Sequence, residues 1–175
     1  GPSTNNGNFD NAATNGSADL WTHNNNSWIY SSANKNIEAN GTAHSALAME
    51  NIEFKLNQTW VLSYNISPPS DGTTPLDGRL WITVHGLNND YFKISSTNSG
   101  FTTTGYHEHT FTIDAWSAWS WSTQNNKINF HQKNYSGSGY FNGVLDNVKL
   151  TLLDSTQAQV EIKINSIIGN APTPQ

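Results

Sequence analysis

Arg79-Leu80-Trp81-Ile82-Thr83-Val84-His85 alternates side chains without a break. In an extended chain, successive side chains leave on opposite faces. Leu80, Ile82 and Val84 therefore share one face, and Arg79, Trp81, Thr83 and His85 share the other. A helical period of 3.6 would scatter both sets around the axis. Lys127 to Lys133 repeats the pattern, with Ile128 and Phe130 on one side and Lys127, Asn129, His131 and Lys133 on the other. Further out, Gln58 to Ile66 aligns Trp60, Leu62, Tyr64 and Ile66. His107 to Ile113 turns Phe111 and Ile113 inward and Glu108, Thr110 and Thr112 outward. Val144 to Leu152 aligns Val144, Val148, Leu150 and Leu152. A strand through Ile52, Phe54 and Leu56 is expected, preceded by one around Leu47 and Met49. Gln159 to Ile164 reads as a last strand or an extension. Pro68-Pro69-Ser70-Asp71-Gly72 is a turn by composition. No helical period and no internal repeat stand out. Short strands without helices make an all-β sandwich or barrel.

The chain has 175 residues, enough for one domain with a full core. Gly1-Pro2 reads as a protease-cleavage scar, residues 3–168 as the domain, and 169–175, ending Ala-Pro-Thr-Pro-Gln, as the start of a linker. Only 12% of residues are charged and the net charge is −5. Phosphate binding needs a basic face, so nucleic acid is not expected as a partner. No apolar run is long enough to span a bilayer as a helix, so no membrane insertion is expected. With no cysteine, disulfides, thiolate metal sites and thiol catalysis are excluded. Richness in Asn, Ser and Thr at low charge fits a secreted or cell-surface location. Seven Trp is more than the packing of one small domain usually needs.

If Leu80, Ile82, Val84, Ile128 and Phe130 are core, then Arg79, Trp81, His85, Glu108, Asn129 and His131 are expected on an outer sheet face. An aromatic plate among planar polar groups suits a sugar, whose C–H patches stack on rings and whose hydroxyls pair with amide, imidazole, carboxylate and guanidinium. Otherwise it is an ordinary solvated face with a loop over Trp81. In the run from Ala115 to Ser122, Trp116, Trp119 and Trp121 form either a rim of stacking platforms or a plug at one end of the sandwich. Tyr91 lies beside a turn and could border the cleft. Trp21 and Trp28 are expected in core or edge packing. His107 and His109 flank Glu108 as a His-x-His pair, a spacing that could ligate metal. The parity of His109 with Phe111 favours a satisfied, core-facing imidazole instead.

Three segments occur in order: Asn6-Gly7-Asn8-Phe9-Asp10 with Trp21 after it; Gly41-Thr42-Ala43-His44-Ser45-Ala46-Leu47-Ala48-Met49, leading to Thr59-Trp60-Val61-Leu62-Ser63-Tyr64; and Gly139-Tyr140-Phe141-Asn142-Gly143-Val144-Leu145-Asp146-Asn147-Val148-Lys149-Leu150. Together they resemble the jelly-roll carbohydrate-binding modules related to families 4, 16 and 22, within the galactose-binding-domain-like group. The match spans roughly residues 5 to 153, with Asp10 where those families usually carry Glu. The resemblance implies a jelly-roll β-sandwich of two antiparallel sheets. It implies binding of polysaccharide or oligosaccharide by a monomeric module inside a larger protein, usually a glycoside hydrolase. It also implies a structural calcium ion (Ca2+), with oxygens from Asp10 and Asp146 and main-chain carbonyls from the stretch Asn36, Glu38, Asn40. The alternation agrees, since Asp146 shares parity with Val144 and Val148. A lone inward carboxylate is costly unless paired or metal-bound. Capping of a turn by Asp146 is the other possibility.

No nucleophile elbow or phosphate loop is present. Glycoside hydrolysis needs two carboxylates across one bond, and no such pair is visible in the spacing. Catalysis is not expected. A structural or adhesin sandwich and a β-sandwich glycan-degrading enzyme are the rival functions.

Overall fold

The computed structural model describes residues 7–9, 21–85, 102–113 and 126–153, and the main chain of 91–93. Ten strands run in chain order: β1 (Trp21–His23), β2 (Trp28–Ser31), β3 (Asn36–Ala39), β4 (Ala46–Ile52), β5 (Thr59–Ser67), β6 (Arg79–His85), β7 (Tyr91–Lys93), β8 (Gly105–Thr112), β9 (Asn126–Lys133) and β10 (Val144–Leu153). They form two five-stranded sheets. Sheet I has the order β1-β4-β9-β6-β7 and sheet II the order β2-β3-β10-β5-β8. All pairings are antiparallel. Consecutive strands repeatedly cross between the sheets, so neither sheet is a simple meander. This is the all-β jelly-roll sandwich that the alternation and the resemblance predict.

The facing sides supply the core. Sheet I contributes Leu47, Met49, Leu80, Ile82, Val84, Ile128 and Phe130; sheet II contributes Ile37, Leu62, Tyr64, Ile66 and Leu150, all buried. Burial of such aliphatic and aromatic side chains is the main stabilising term of a two-sheet fold. Trp21 and Trp28 are buried, as expected. Phe9 packs on Trp21 at 5.1 Å, and Tyr30 donates its hydroxyl to the Phe9 carbonyl at 2.6 Å.

Among the described residues, two polar side chains on the inner side of β9 are fully buried: Asn126, whose amide nitrogen donates to the Ile52 carbonyl at 3.0 Å, and Gln132. Gln132 is fully buried and opposes Leu80 across the ladder. Its amide nitrogen donates to the Ser27 carbonyl at 2.7 Å, and its oxygen accepts the Gly41 N–H at 3.1 Å. It thereby pins two loops at one end of the sandwich, and both halves of the amide are satisfied.

Three expectations are corrected. The separate strand through Ile52, Phe54 and Leu56 does not form. One strand, β4, runs to Ile52; Phe54 is buried beyond its end and Leu56 lies in an exposed turn. The parity of Asp146 is also reversed. The β10–β5 register shifts between Asp146 and Lys149, where Asn147 adopts φ 52°. A bulge inserts a residue and exchanges the faces on its two sides. Before it, Leu145 opposes Ile66 and is core, while Asp146 opposes Asn65 on the outer face, half-buried. After it, Val148 and Leu150 are core. Gly7 seats the N-terminal segment on this bulge: its carbonyl accepts the Val148 N–H at 2.9 Å, and a β-carbon on it would fall 1.8 Å from the Val148 oxygen. Finally, Val144 shares the side of Asp146, opposite Glu38 and Ser67, and not that of Val148, although it is buried; Leu152 keeps the side of Leu150, as expected, and is 42% exposed. The expected strand at Gln159 to Ile164 lies outside the described residues.

The bulge makes a sharp mutational contrast. Leu145→Ala is expected to cost ~2–5 kcal/mol of unfolding free energy, and Leu152→Ala about 0.5 kcal/mol or less. Urea denaturation of the two variants checks this; the reverse order would mean that the regular alternation holds through Asn147.

Candidate functional site

The outer side of sheet I carries the candidate site. Because Leu80, Ile82 and Val84 face the core, Arg79, Trp81, Thr83 and His85 of β6 face away from it. The antiparallel register sets Trp81 opposite His131, Thr83 opposite Asn129, His85 opposite Lys127 and Arg79 opposite Lys133. On the other flank of β9, Ala46 and Ala48 of β4 oppose His131 and Asn129. Two small residues there leave room above the β9 row.

The floor of this face is sheltered. Thr83 is 1% exposed and Asn129 7%, although neither points into the core. Around them stands a connected polar network. Thr83 Oγ1 lies 2.7 Å from His85 Nε2 and 2.9 Å from His131 Nε2. The Asn129 amide nitrogen lies 3.1 Å from His85 Nε2, and His44 Nε2 lies 3.3 Å from His131 Nδ1.

With the Asn129 amide nitrogen facing His85, these contacts fit a self-consistent assignment of protons. An amide N–H only donates, so His85 Nε2 is an acceptor. Thr83 then donates its proton to His85 and accepts one from His131 Nε2–H. His131 Nδ1 is left to accept from His44 Nε2–H. Every imidazole in the row is neutral. The electrostatics agree. Burial, and then the charge of Lys127, push His85 down to about 4. Burial, followed by His44, His85, Lys133 and Lys127, pushes His131 down to about 3. The Asn129 Oδ1 is buried and has no hydrogen-bond partner among the described residues. An unmet buried acceptor costs ~1–3 kcal/mol, which marks it as the incomplete point of the floor.

Trp81 is half-exposed. Its ring centre lies 5.9 Å from that of His131, and the Lys133 ammonium sits 4.2 Å over the indole. The plate is thus bordered by an imidazole and covered on one side by a mobile four-carbon stem with a cation at its tip.

Of the residues expected at the site, Arg79, Trp81, His85, Asn129 and His131 share this face. Glu108 does not. It lies on β8, which belongs to sheet II, opposite Ser63, and it accepts a hydrogen bond from the Tyr106 hydroxyl at 2.5 Å. The alternation of a strand gives its in-or-out parity but not which sheet it joins, hence the misplacement. Trp116, Trp119 and Trp121 lie outside the described residues, as does the side chain of Tyr91. The His-x-His pair is satisfied internally: His109 Nε2 lies 2.8 Å from the Tyr64 hydroxyl, and His107 stacks on the Tyr64 ring at 5.3 Å. Thr83, His44, Lys127 and Lys133 complete the face. The parity of their strands already put Thr83, Lys127 and Lys133 there, whereas His44 precedes β4 and gave no signal.

For the calcium set, Asp146 Oδ1 accepts the N–H of Asn147 at 2.7 Å, the capping arrangement of a bulge. Glu38 accepts the Ser70 N–H at 3.1 Å, and the Asn40 side chain is tied to the Asn26 carbonyl and the Thr42 N–H. Any contribution from Glu38 or Asn40 thus falls to main-chain carbonyls. Asn36 is one step along the β3–β10 register from the pair Ile37–Leu145, which sets it beside Asp146. Asp10 lies outside the described residues. Among the described residues, no group of three or more His, Asp or Glu converges on one position.

No protein-family model matches the chain, and no curated protein matches it. Solved structures do. The second N-terminal cellulose-binding domain of β-1,4-glucanase C from Cellulomonas fimi superposes with a TM-score of 0.51 at 15% identity, covering 77% of this chain and 86% of that one. The N-terminal cellulose-binding domain of the same enzyme gives 0.48 at 16%, covering 84% and 94%. The family 22 xylan-binding domain of Xyn10C from Paenibacillus barcinonensis gives 0.49 at 13%, covering 84% and 92%. The first of these likenesses shows that the chain has the jelly-roll fold of a carbohydrate-binding module.

The neutral imidazole row predicts a pH response. His85 and His131 titrate in the folded chain well below the ordinary 6.5. Below pH 6.5 the unfolded chain therefore binds more protons than the folded one, and stability falls with pH. The loss should be visible between pH 6.5 and about pH 5, where most carboxylates stay ionised. Thermal melts across that window should show a falling melting temperature in the wild type and a smaller drop in His131→Gln. Equal slopes would contradict the assignment.

Proposed function

We propose that this chain is a non-catalytic polysaccharide-binding module whose site is the outer face of sheet I, and that it directs an appended glycoside hydrolase or surface protein to glycan outside the cell. The observation that carries the reading is Trp81: an accessible indole in a row of neutral hydrogen-bonding groups, on the side of β6 opposite its buried aliphatics. A pyranose stacks a C–H face on such a plate while its hydroxyls meet donors and acceptors nearby. Here those are Asn129, His131 and His85, held by Thr83 in a preset arrangement, so little ordering is left to the binding event. Stacking on the side that Lys133 covers would swing that flexible side chain away.

The jelly-roll fold shared with a cellulose-binding domain adds support. So does the carboxylate inventory of the face. Among the described residues it brings Glu50 alone, at the β1 edge and held by the Thr22 hydroxyl at 2.9 Å, whereas glycoside hydrolysis works with a pair.

Trp81→Ala should abolish retardation by polysaccharide in affinity gels while the melting temperature stays within a few degrees of the wild type, since a half-exposed side chain contributes little to the core. Unchanged retardation would remove Trp81 from the site.

A structural calcium ion at the β10 bulge is part of the proposal. Asp146 would supply a carboxylate there beside Asn36, with Asp10, which follows directly on the anchored Phe9 in the sequence, as the second carboxylate. Its role would be to tie the N-terminal segment to β10, away from the sugar face. Chelator should lower the melting temperature, added calcium should restore it, and Asp146→Asn should blunt both effects. A melting temperature indifferent to chelator and calcium would sink the ion and leave the glycan site standing.

A further inference from the structure

Among the described residues, charge is distributed unevenly over the two outer faces of this acidic chain. The net charge is −5, with only eight Lys and Arg in the whole sequence. Three of the eight, Arg79, Lys127 and Lys133, lie on the outer side of sheet I, in register with His85, with one another and around Trp81. Glu50 at the β1 edge is the one carboxylate among the described residues of that side. The outer side of sheet II is the reverse. It brings Glu38, Glu108 and Asp146 against Lys149. Burial is the main cause that lowers the imidazoles of the site, and the cations add to it in the same direction: Lys127 at His85, and Lys133 at His44 and His131.

A neutral glycan takes hydrogen bonds from such groups but is not drawn by their field. Cations around a sugar platform cost mutual repulsion, and in a chain this poor in them their concentration on one side is a matter of partner rather than solubility. Their positions also fit. Lys127 stands at one end of the polar row and the pair Arg79–Lys133 at the other, so acidic substituents on a chain lying along β6 and β9 would meet a cation at either end.

Resting on the glycan-binding reading above, we infer that the polysaccharide is anionic, carrying carboxylate or sulfate groups that pair with Arg79, Lys127 and Lys133. Arg offers a planar fork that matches either group, and Lys a point charge. Attraction of this kind sets specificity and is screened by salt.

Calorimetric titrations with charge-matched polymers test it. Polygalacturonate, alginate and glucuronoxylan are each compared with their carboxyl-reduced forms, and a sulfated galactan with its desulfated form. At least one acidic polymer should bind, and its neutral form should bind at least about ten-fold more weakly. Raising sodium chloride from about 0.05 to 0.5 M should weaken the acidic complex. Lys127→Gln should weaken it about two- to five-fold, and Lys127→Glu further, with unchanged circular dichroism melts. The carboxylate and sulfate arms tell the two sources of charge apart. Equal binding of acidic and neutral forms, or binding of neutral polymers only, overturns the charge inference and leaves the glycan site intact. Acidic binding that survives Trp81→Ala places the ligand elsewhere and also overturns it. No binding by any polymer sinks both readings.

Discussion

The two-residue period of a pleated strand is the constraint on which everything else rests. Once Leu80, Ile82 and Val84 are drawn into the core, Trp81 and His85 have no choice of side. The same holds one strand over, where burial of Ile128 and Phe130 turns Asn129 and His131 outward. Antiparallel pairing of β6 with β9 then brings the two outward rows side by side. Apolar burial thus assembles a polar site at no added cost to the core. A one-residue slip in either strand would bury the site and expose the core together.

Within the assembled face, Thr83 is the hinge between two imidazoles. Its hydroxyl donates to one ring and accepts from the other, and so joins His85 to His131 in one directed chain. Burial keeps both rings uncharged. The result is a stiff, neutral floor under an indole, bordered by Arg79, Lys127 and the flexible Lys133. That division of labour separates the shape of the site from its charge.

Much of this was legible in the sequence. Strands β5, β6, β8 and β9 announce themselves because each alternates over about seven residues, and β10 because it alternates from Val148 to Leu152. The face around Trp81 follows from the same signal. Strands β1, β2, β3 and β7 carry three or four residues each, too few for a period to show. Glu108 was misplaced because parity is local, whereas sheet membership is decided by long-range pairing. Asp146 was turned the wrong way because a single residue at positive φ, Asn147, resets the alternation, and Asn-Val gives no warning of it. Gln132 looks like any outward polar residue; only the loops at Ser27 and Gly41 explain why it is buried.

The most direct test of the account is to map a bound oligosaccharide by NMR. The Trp81 indole N–H, the His85 and His131 imidazoles and the Asn129 amide should shift together as ligand is added, while Tyr106, Glu108 and Lys149 on sheet II stay still. Shifts confined to the sheet II side, with the Trp81 indole unmoved, would contradict the claim that the sandwich recognises sugar through the outer face of β6 and β9.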